Sequence, residues 1–422
     1  MNIKTKIFKS IQNNLDKKSI RRMLRIISKK PVLQLFGTSF KSTSDRELNF
    51  LNITNMNEVY SKKFPVAYGS LFLPYELING LGLKPFMPEV MGGFTAGLGV
   101  TDKTLKAASD KWYSSDLCTF HRSSTGAFEM DLFPEPDFIL SSNLACDAAG
   151  KSFESFASKY NMQDRFYLID VPHFDDDNSI DFLSRQLENI YEDIFNKLKK
   201  KPEKNLLEKS INHSNEFRKL ALEANKIRED LLDYPLYFNG LNFILPFHGL
   251  CGTKESVKLY RAIVSELKGK LAGQQKNKQM KRVLWLHLKP YYRNDIFKIL
   301  EDNNIRVIFE EISNVYWKEL DPSDPFKSLA LKMLSNPLRG SGKNRIAAIN
   351  NLAKRYKADG VIMFSHWGCR QSNGLSRLLK DSLALMNIPM LILDGDCVDS
   401  KNCPGGQMKT RVEGFVEILN SL

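Results

Sequence analysis

The sequence predicts an α/β protein built from two parallel-sheet domains of Rossmann or flavodoxin type, with helical insertions and a cleft between the domains. Three observations carry this reading. The last third alternates short apolar runs with helical-period segments, the pattern of right-handed βαβ units on a parallel sheet. A less regular alternation of the same kind runs from about Phe64 to Asn196. The chain has 422 residues, 42% of them hydrophobic and 26% charged, more than one hydrophobic core usually organises.

Residues 1–63 read as a basic helical arm. Ile7, Ile11, Leu15, Met23, Ile26 and Ile27 fall near helical spacing, which suggests an amphipathic segment packed on a domain or partner. No uninterrupted apolar stretch followed by a small-residue cleavage site is present, so a cytoplasmic protein is expected. The first α/β domain spans 64–271, with Phe138–Ser141 and Phe166–Val171 as its clearest buried strands. Charge-rich helical sequence follows over Asp181–Asp233, then a helix over Lys254–Leu271. The polar stretch Ala272–Lys281 is the linker candidate. The second domain, 282–422, places strands at Val283–Leu288, Ile305–Phe309, Val361–Ser365 and Met390–Leu393. Its helices lie at Asp295–Leu300, Asn344–Tyr356, Leu375–Met386 and Arg411–Leu419.

The formal net charge of +13 fits a nucleic-acid surface, a membrane-surface patch or a field that attracts a polyanion such as a coenzyme A ester. The runs Lys17–Arg25 and Lys197–Lys204 read most simply as solvated faces, and no nucleic-acid-binding motif is present. No run of eighteen apolar residues could span a bilayer.

Six cysteines, Cys118, Cys146, Cys251, Cys369, Cys397 and Cys403, are too few and too scattered for a disulfide framework, and no CxxC occurs. Cys369 lies in VIMFSHWGCRQSNG, after a buried strand and before a helix, where open parallel sheets place ligand sites. Gly368 would let the backbone approach a bulky group, and the following helix start favours an anionic one. Cys146, in FILSSNLACDAAGKSF, repeats the device in the first domain, with a helix beginning near Asp147. Cys118 sits in the polar turn SSDLCTFHRSSTG. Any one of these thiols alone reads as a buried small hydrophobe; the three together read as ligands. Three thiolates suit an iron–sulfur cluster with one iron position left open. Zinc completed by His366 or His121 is a competing occupant, and a Cys369 nucleophile beside His366 is a third. The segment Arg339–Asn344, RGSGKN, fails the P-loop pattern because Pro337 stands at the first glycine position and Asn344 replaces the Ser/Thr. It reads as a basic turn, with a CoA phosphate contact as the lesser alternative.

These residues together resemble the 2-hydroxyacyl-CoA dehydratase and benzoyl-CoA reductase subunit family over most of the chain. VAYGSLFLPYELINGLGLKPF is similar to the family's opening segment, LCTFHRSSTG and PEPDFILSSNLACDAAGKSFE to its first two cluster cysteines, SHWGCR to the third, and GGQMKTRVEGFVEIL to its closing helix. The resemblance implies a [4Fe-4S] cluster on Cys118, Cys146 and Cys369 in the inter-domain cleft, with His366 and Arg370 as catalytic candidates. It also implies Gln407, Thr410 and Arg411 as contacts for an acyl-CoA substrate. A second related subunit or a self-dimer, and a separate ATP-dependent activator that delivers one electron, belong to the same expectation. The implied reaction is that of a lyase: a ketyl radical of the thioester expels the C2 hydroxyl and lets a C3 proton leave. An ATP-dependent reductase or double-cubane electron-transfer protein of the same superfamily, with Cys397 or Cys403 as extra ligands, is one alternative. A non-catalytic CoA-ester-binding subunit is the other. The arm to about Lys63 and the helical insertion after Asp181 have no clear place in the resemblance; Cys397 and Cys403, in the loop after the final strand, read equally as surface-loop thiols, and Cys251 as lining the first domain's edge or buried.

Overall fold

The computed structural model describes residues 16–27, 42–174, 176–232, 244–274 and 280–422. Ile7, Ile11 and Leu15 of the expected arm, and residues 275–279 of the expected linker, lie outside the described residues. Among the described residues eight strands form two four-stranded sheets. The first holds β1 (Val66–Gly69), β2 (Lys84–Phe86), β3 (Phe138–Ser142) and β4 (Phe166–Ile169) in the order β2-β1-β3-β4. The second holds β5 (Lys281–Leu286), β6 (Ile305–Glu310), β7 (Gly360–His366) and β8 (Met390–Gly395) in the order β6-β5-β7-β8. Every pairing is parallel, and the two sheets share one topology. The expected α/β class with two parallel sheets is what the chain adopts.

The local reasons are those of buried parallel strands. β3 (FILSS) and β7 (GVIMFSH) are buried at every position because helices cover both faces, so their sequences run apolar without alternation. One large apolar cluster includes Leu140 of β3, Trp285 of β5 and Ile362 of β7. The halves therefore share a core, and smaller clusters lie on the outer faces of each sheet.

Residues 181–233, expected as one helical insertion, form two helices, Asp177–Lys197 and Leu206–Asp230. The second is a brace between the halves. Its Phe217 is fully buried, its Asn215 and Arg218 donate to the carbonyls of Leu320 and Trp317 at 2.7 Å, and its Asn225 carbonyl accepts from Tyr356 Oη at 3.1 Å. The helix Thr43–Tyr60, within the segment expected as an arm, buries Leu48 and Leu51 in the main cluster and is capped by Ser42, whose hydroxyl accepts from Asp45 N. A buried ion pair also joins the halves: Lys332 Nζ lies 2.6 Å from Glu76 Oε1. Among the described residues no helix is long and apolar enough to cross a membrane.

Candidate functional site

Open parallel sheets bind ligands beyond the carboxyl ends of their strands, where the strand order reverses. Here the order reverses between β1 and β3 in one sheet and between β5 and β7 in the other, and the two reversal points face each other. The loops that leave all four strands line one cavity of about 160 Å³: Leu71 and Phe72 after β1, Leu144–Cys146 after β3, His287 and Leu288 after β5, and Cys369 after β7. Each loop contains a residue in the left-handed region, namely Phe72 (φ 68°), Ala145 (φ 62°), His287 (φ 64°) and Gly368 (φ 77°). For L residues that region costs about 1–2 kcal/mol each, and such strain gathers at functional sites. Ala145 and Gly368 stand immediately before Cys146 and Cys369, so both halves turn into a cysteine in the same way. A Cβ on Gly368 would lie 2.6 Å from Cys118 N and 2.7 Å from its Cα. Glycine there is what lets the second half's cysteine loop touch the first half's.

All three cysteines are helix N-caps: Cys118 of Thr119–Glu129, Cys146 of Asp147–Lys159 and Cys369 of the single turn Arg370–Asn373. First-turn amides therefore point toward sulfur and favour the thiolate. Burial opposes them. It pushes the Cys118 thiol well above its ordinary value and the Cys146 thiol up to about 12. Cys369 is also buried, yet its thiol is held below the ordinary value by His287, the Ser372 amide and Arg345.

Each thiol meets one imidazole. Cys118 Sγ lies 3.3 Å from His366 Nε2, Cys146 Sγ 3.4 Å from His121 Nε2, and Cys369 Sγ 3.4 Å from His287 Nε2. The backbone fixes two of the tautomers. Cys397 N–H donates to His366 Nδ1 at 3.0 Å, and burial pushes the His366 pKa down to about 3. His366 is thus neutral, with its proton on Nε2, a donor facing Cys118. At His287 the other nitrogen is fixed: its Nδ1 lies 3.1 Å from the Phe364 carbonyl, which can only accept, so Nδ1 carries a proton while Nε2 faces Cys369. His121 is held neutral by burial, with a pKa near about 4. With His248, four of the chain's six histidines line this cavity.

Two acidic groups complete the walls. Glu89 accepts from Leu71 N–H at 2.7 Å and lies 3.7 Å from His121 Nε2; burial raises its carboxyl to about 7. Burial also pushes Glu311 upward, but the forked contact from Arg345, with Nε and Nη2 donating at 2.7 and 2.8 Å, outweighs it and keeps the carboxyl charged.

The cavity brings together Cys118, Cys146, Cys369, His121 and His366 from the sequence-based candidates. Arg370 is exposed at the rim and does not line it; Gln407, Thr410 and Arg411 are exposed on the closing helix Gly405–Ser421, away from the lining. Cys397 and Cys403 do not line it either. Cys251 is buried beside Glu76 and Lys332, at 3.5 and 3.6 Å. In the P-loop-like turn, Arg339 donates to the carbonyls of Leu334, Pro172 and Phe174, which makes it a joint between the halves. Sequence reasoning missed His287, Glu89 and the Arg345–Glu311 pair. His287 had a usable signal, a polar residue directly after the apolar strand run VLWL, the same rule that found Cys369. Glu89 had none.

The donor set fits an iron–sulfur cluster. Three thiols from three separate loops face one space, and burial in apolar walls keeps two of them protonated unless a positive centre enters. Among the described residues no set of three or more Cys, His, Asp or Glu is arranged to hold a single metal ion; a polynuclear cluster takes one thiolate per iron.

Residues 70–419 match the family model of the 2-hydroxyglutaryl-CoA dehydratase D-component. The chain is 23% identical over 396 residues to the (R)-phenyllactyl-CoA dehydratase alpha subunit of Clostridium sporogenes, covering 89% of this chain and 94% of that one. It is 24% identical over 350 residues to the alpha subunit of (R)-2-hydroxyglutaryl-CoA dehydratase of Acidaminococcus fermentans, covering 76% and 70%. It is 21% identical over 377 residues to the (R)-2-hydroxyisocaproyl-CoA dehydratase alpha subunit of Clostridioides difficile, covering 84% and 90%.

Proposed function

Since the chain belongs to the 2-hydroxyglutaryl-CoA dehydratase D-component family, we propose that it is the cluster-bearing subunit of a lyase that removes water from a 2-hydroxyacyl-CoA, with a [4Fe-4S] cluster on Cys118, Cys146 and Cys369. The observation that carries this reading is the convergence of three N-cap cysteines, two from one half and one from the other, on a single cavity where two strand-order reversals face each other. When bound, such a cluster supplies low-potential electrons and an iron position open to a substrate oxygen.

The chain's own residues do the rest. The His366 Nε2 proton is donated to the Cys118 sulfur, and the neutral ring cannot also serve as a base. The amides at the helix starts add further donors to the thiolates. Glu89 is the proton-handling group: its carboxyl titrates near about 7, so Oε1 can give a proton to the departing hydroxyl or take one from C3 at neutral pH. The apolar walls keep bulk water from the reacting atoms. A second subunit, in keeping with relatives that are alpha subunits, and an ATP-dependent activator in the cytoplasm complete the system.

Anaerobic purification tests the cluster. The expected result is a brown protein with roughly four iron and four sulfide per chain; a colourless chain with stoichiometric zinc would overturn it. Replacing Cys397 or Cys403 by Ser should leave the iron content intact, and loss of iron there would favour the double-cubane alternative. Turnover of 2-hydroxyacyl-CoA with activator, ATP and reductant separates a catalytic chain from one that only binds CoA esters.

A further inference from the structure

The reading above leaves the acyl group open, and the cavity's lining bears on it. We infer that the substrate's acyl chain is apolar, aliphatic or aromatic, and carries no second carboxylate; this rests on the CoA-ester reading. The aliphatic part of the lining is built from Ile244, Ile312, Leu338, Ala348, Ile349 and Leu352. Three of these come from one face of the helix Gly342–Arg355, whose i, i+1, i+4 spacing turns a continuous apolar stripe into the cavity.

A chain ending in a carboxylate needs a cation there, because a buried unpaired carboxylate is among the costliest groups to desolvate. Among the described lining residues the sole lysine or arginine is Arg345. Its charge is already paired: Nε and Nη2 hold Glu311, and Nη1 reaches the Ser372 carbonyl and hydroxyl at 3.3 and 3.2 Å. The two carboxyl groups in the lining, Glu89 and Glu311, offer an incoming anion no positive charge. Two of the neutral amides are already in use. Asn336 donates to Tyr316 Oη at 3.0 Å and accepts from Leu338 N at 2.9 Å, while Gln371 donates to the Leu338 carbonyl. Among the described lining residues no cation is left to receive a terminal charge, and the aliphatic side chains gain from burying carbon.

Calorimetric titration of the full chain with isocaproyl-CoA, 3-phenylpropanoyl-CoA, glutaryl-CoA and free CoA tests this. Both apolar esters should bind at least about tenfold more tightly than glutaryl-CoA. Ala348→Arg, which puts a cation into the half-buried middle of the stripe, should narrow or reverse that ratio; if this variant does not fold, the wild-type series decides alone. Glutaryl-CoA binding as tightly as the apolar esters, or more tightly, overturns the inference and leaves the CoA-ester reading standing. Failure of every ester to bind better than free CoA overturns both.

Discussion

Removing Lys332 should destabilise the union of the two halves more than any surface change. Lys332 Nζ sits 2.6 Å from Glu76 Oε1 with both side chains buried, and Glu76 also accepts from Ser214. Burial pushes the Glu76 carboxyl upward, but the Lys332 charge and the hydrogen bonds from Lys332 and Ser214 outweigh it, leaving a net lowering. Lys332→Met strands that carboxylate in the core, which costs about 3–5 kcal/mol. With a urea slope of about 3 kcal/mol/M, the unfolding midpoint should fall by about 1–1.7 M. Glu76→Gln should cost about as much by stranding the ammonium. The double variant Lys332→Met/Glu76→Gln removes both charges, so it should be more stable than either single one. Urea unfolding followed by circular dichroism at pH 7 reads all four proteins. Single variants costing under about 1 kcal/mol, or a double variant as poor as the sum of the singles, would refute the argument that the pair is held only by mutual neutralisation.

Gly368→Ala forces an L residue to φ 77° and places a methyl 2.6 Å from Cys118 N; iron bound per chain should drop sharply, while Gly406→Ala, with nothing within 4 Å of its Cβ, should load normally. Glu89→Gln should flatten a pH dependence. The folded state favours the protonated carboxyl, so the wild type loses stability as pH rises from the ordinary value of 4.5 to about 7, a loss of up to about 3 kcal/mol at pH 8. The glutamine variant should be the more stable one at pH 8 and not at pH 4; parallel melting curves across that range would count against it. His366→Phe removes the N–H that faces Cys118, and potentiometric titration should place the cluster's reduction potential below the wild-type value, because hydrogen bonds to sulfur favour the reduced state. Phe217→Ala in the brace should cost about 3–5 kcal/mol, read by thermal unfolding.

Much of the second sheet was legible in the sequence. The runs at Val283, Ile305, Val361 and Met390 are β5 to β8 within a few residues, because strands buried on both faces must be apolar throughout. β1 and β2 have four and three residues, too short to show a period. The helix Leu206–Asp230 was legible as a helix but not as a brace, since its partners, Trp317, Leu320 and Tyr356, lie about a hundred residues onward. Cys146 and Cys369 were found by a local rule, a strand followed by a turn and a helix, and Cys118 by its place in a polar turn. Which imidazole faces which thiol was not legible, because Cys118 and His366 are 248 positions apart and Cys369 and His287 are 82 apart, and pairing over such distances is decided by the fold.

The mirrored left-handed turns before Cys146 and Cys369 have a consequence for how the molecule matures. Two of the three sulfur donors ride on one lobe and the third on the other, so neither lobe by itself offers a complete nest. If the proposed cluster binds there, whatever inserts it must act on chains whose lobes have already docked, and bound iron would then work as a clamp across the seam. Holo protein should resist prying apart at that seam even where the rest of its surface is no firmer than in the apo form.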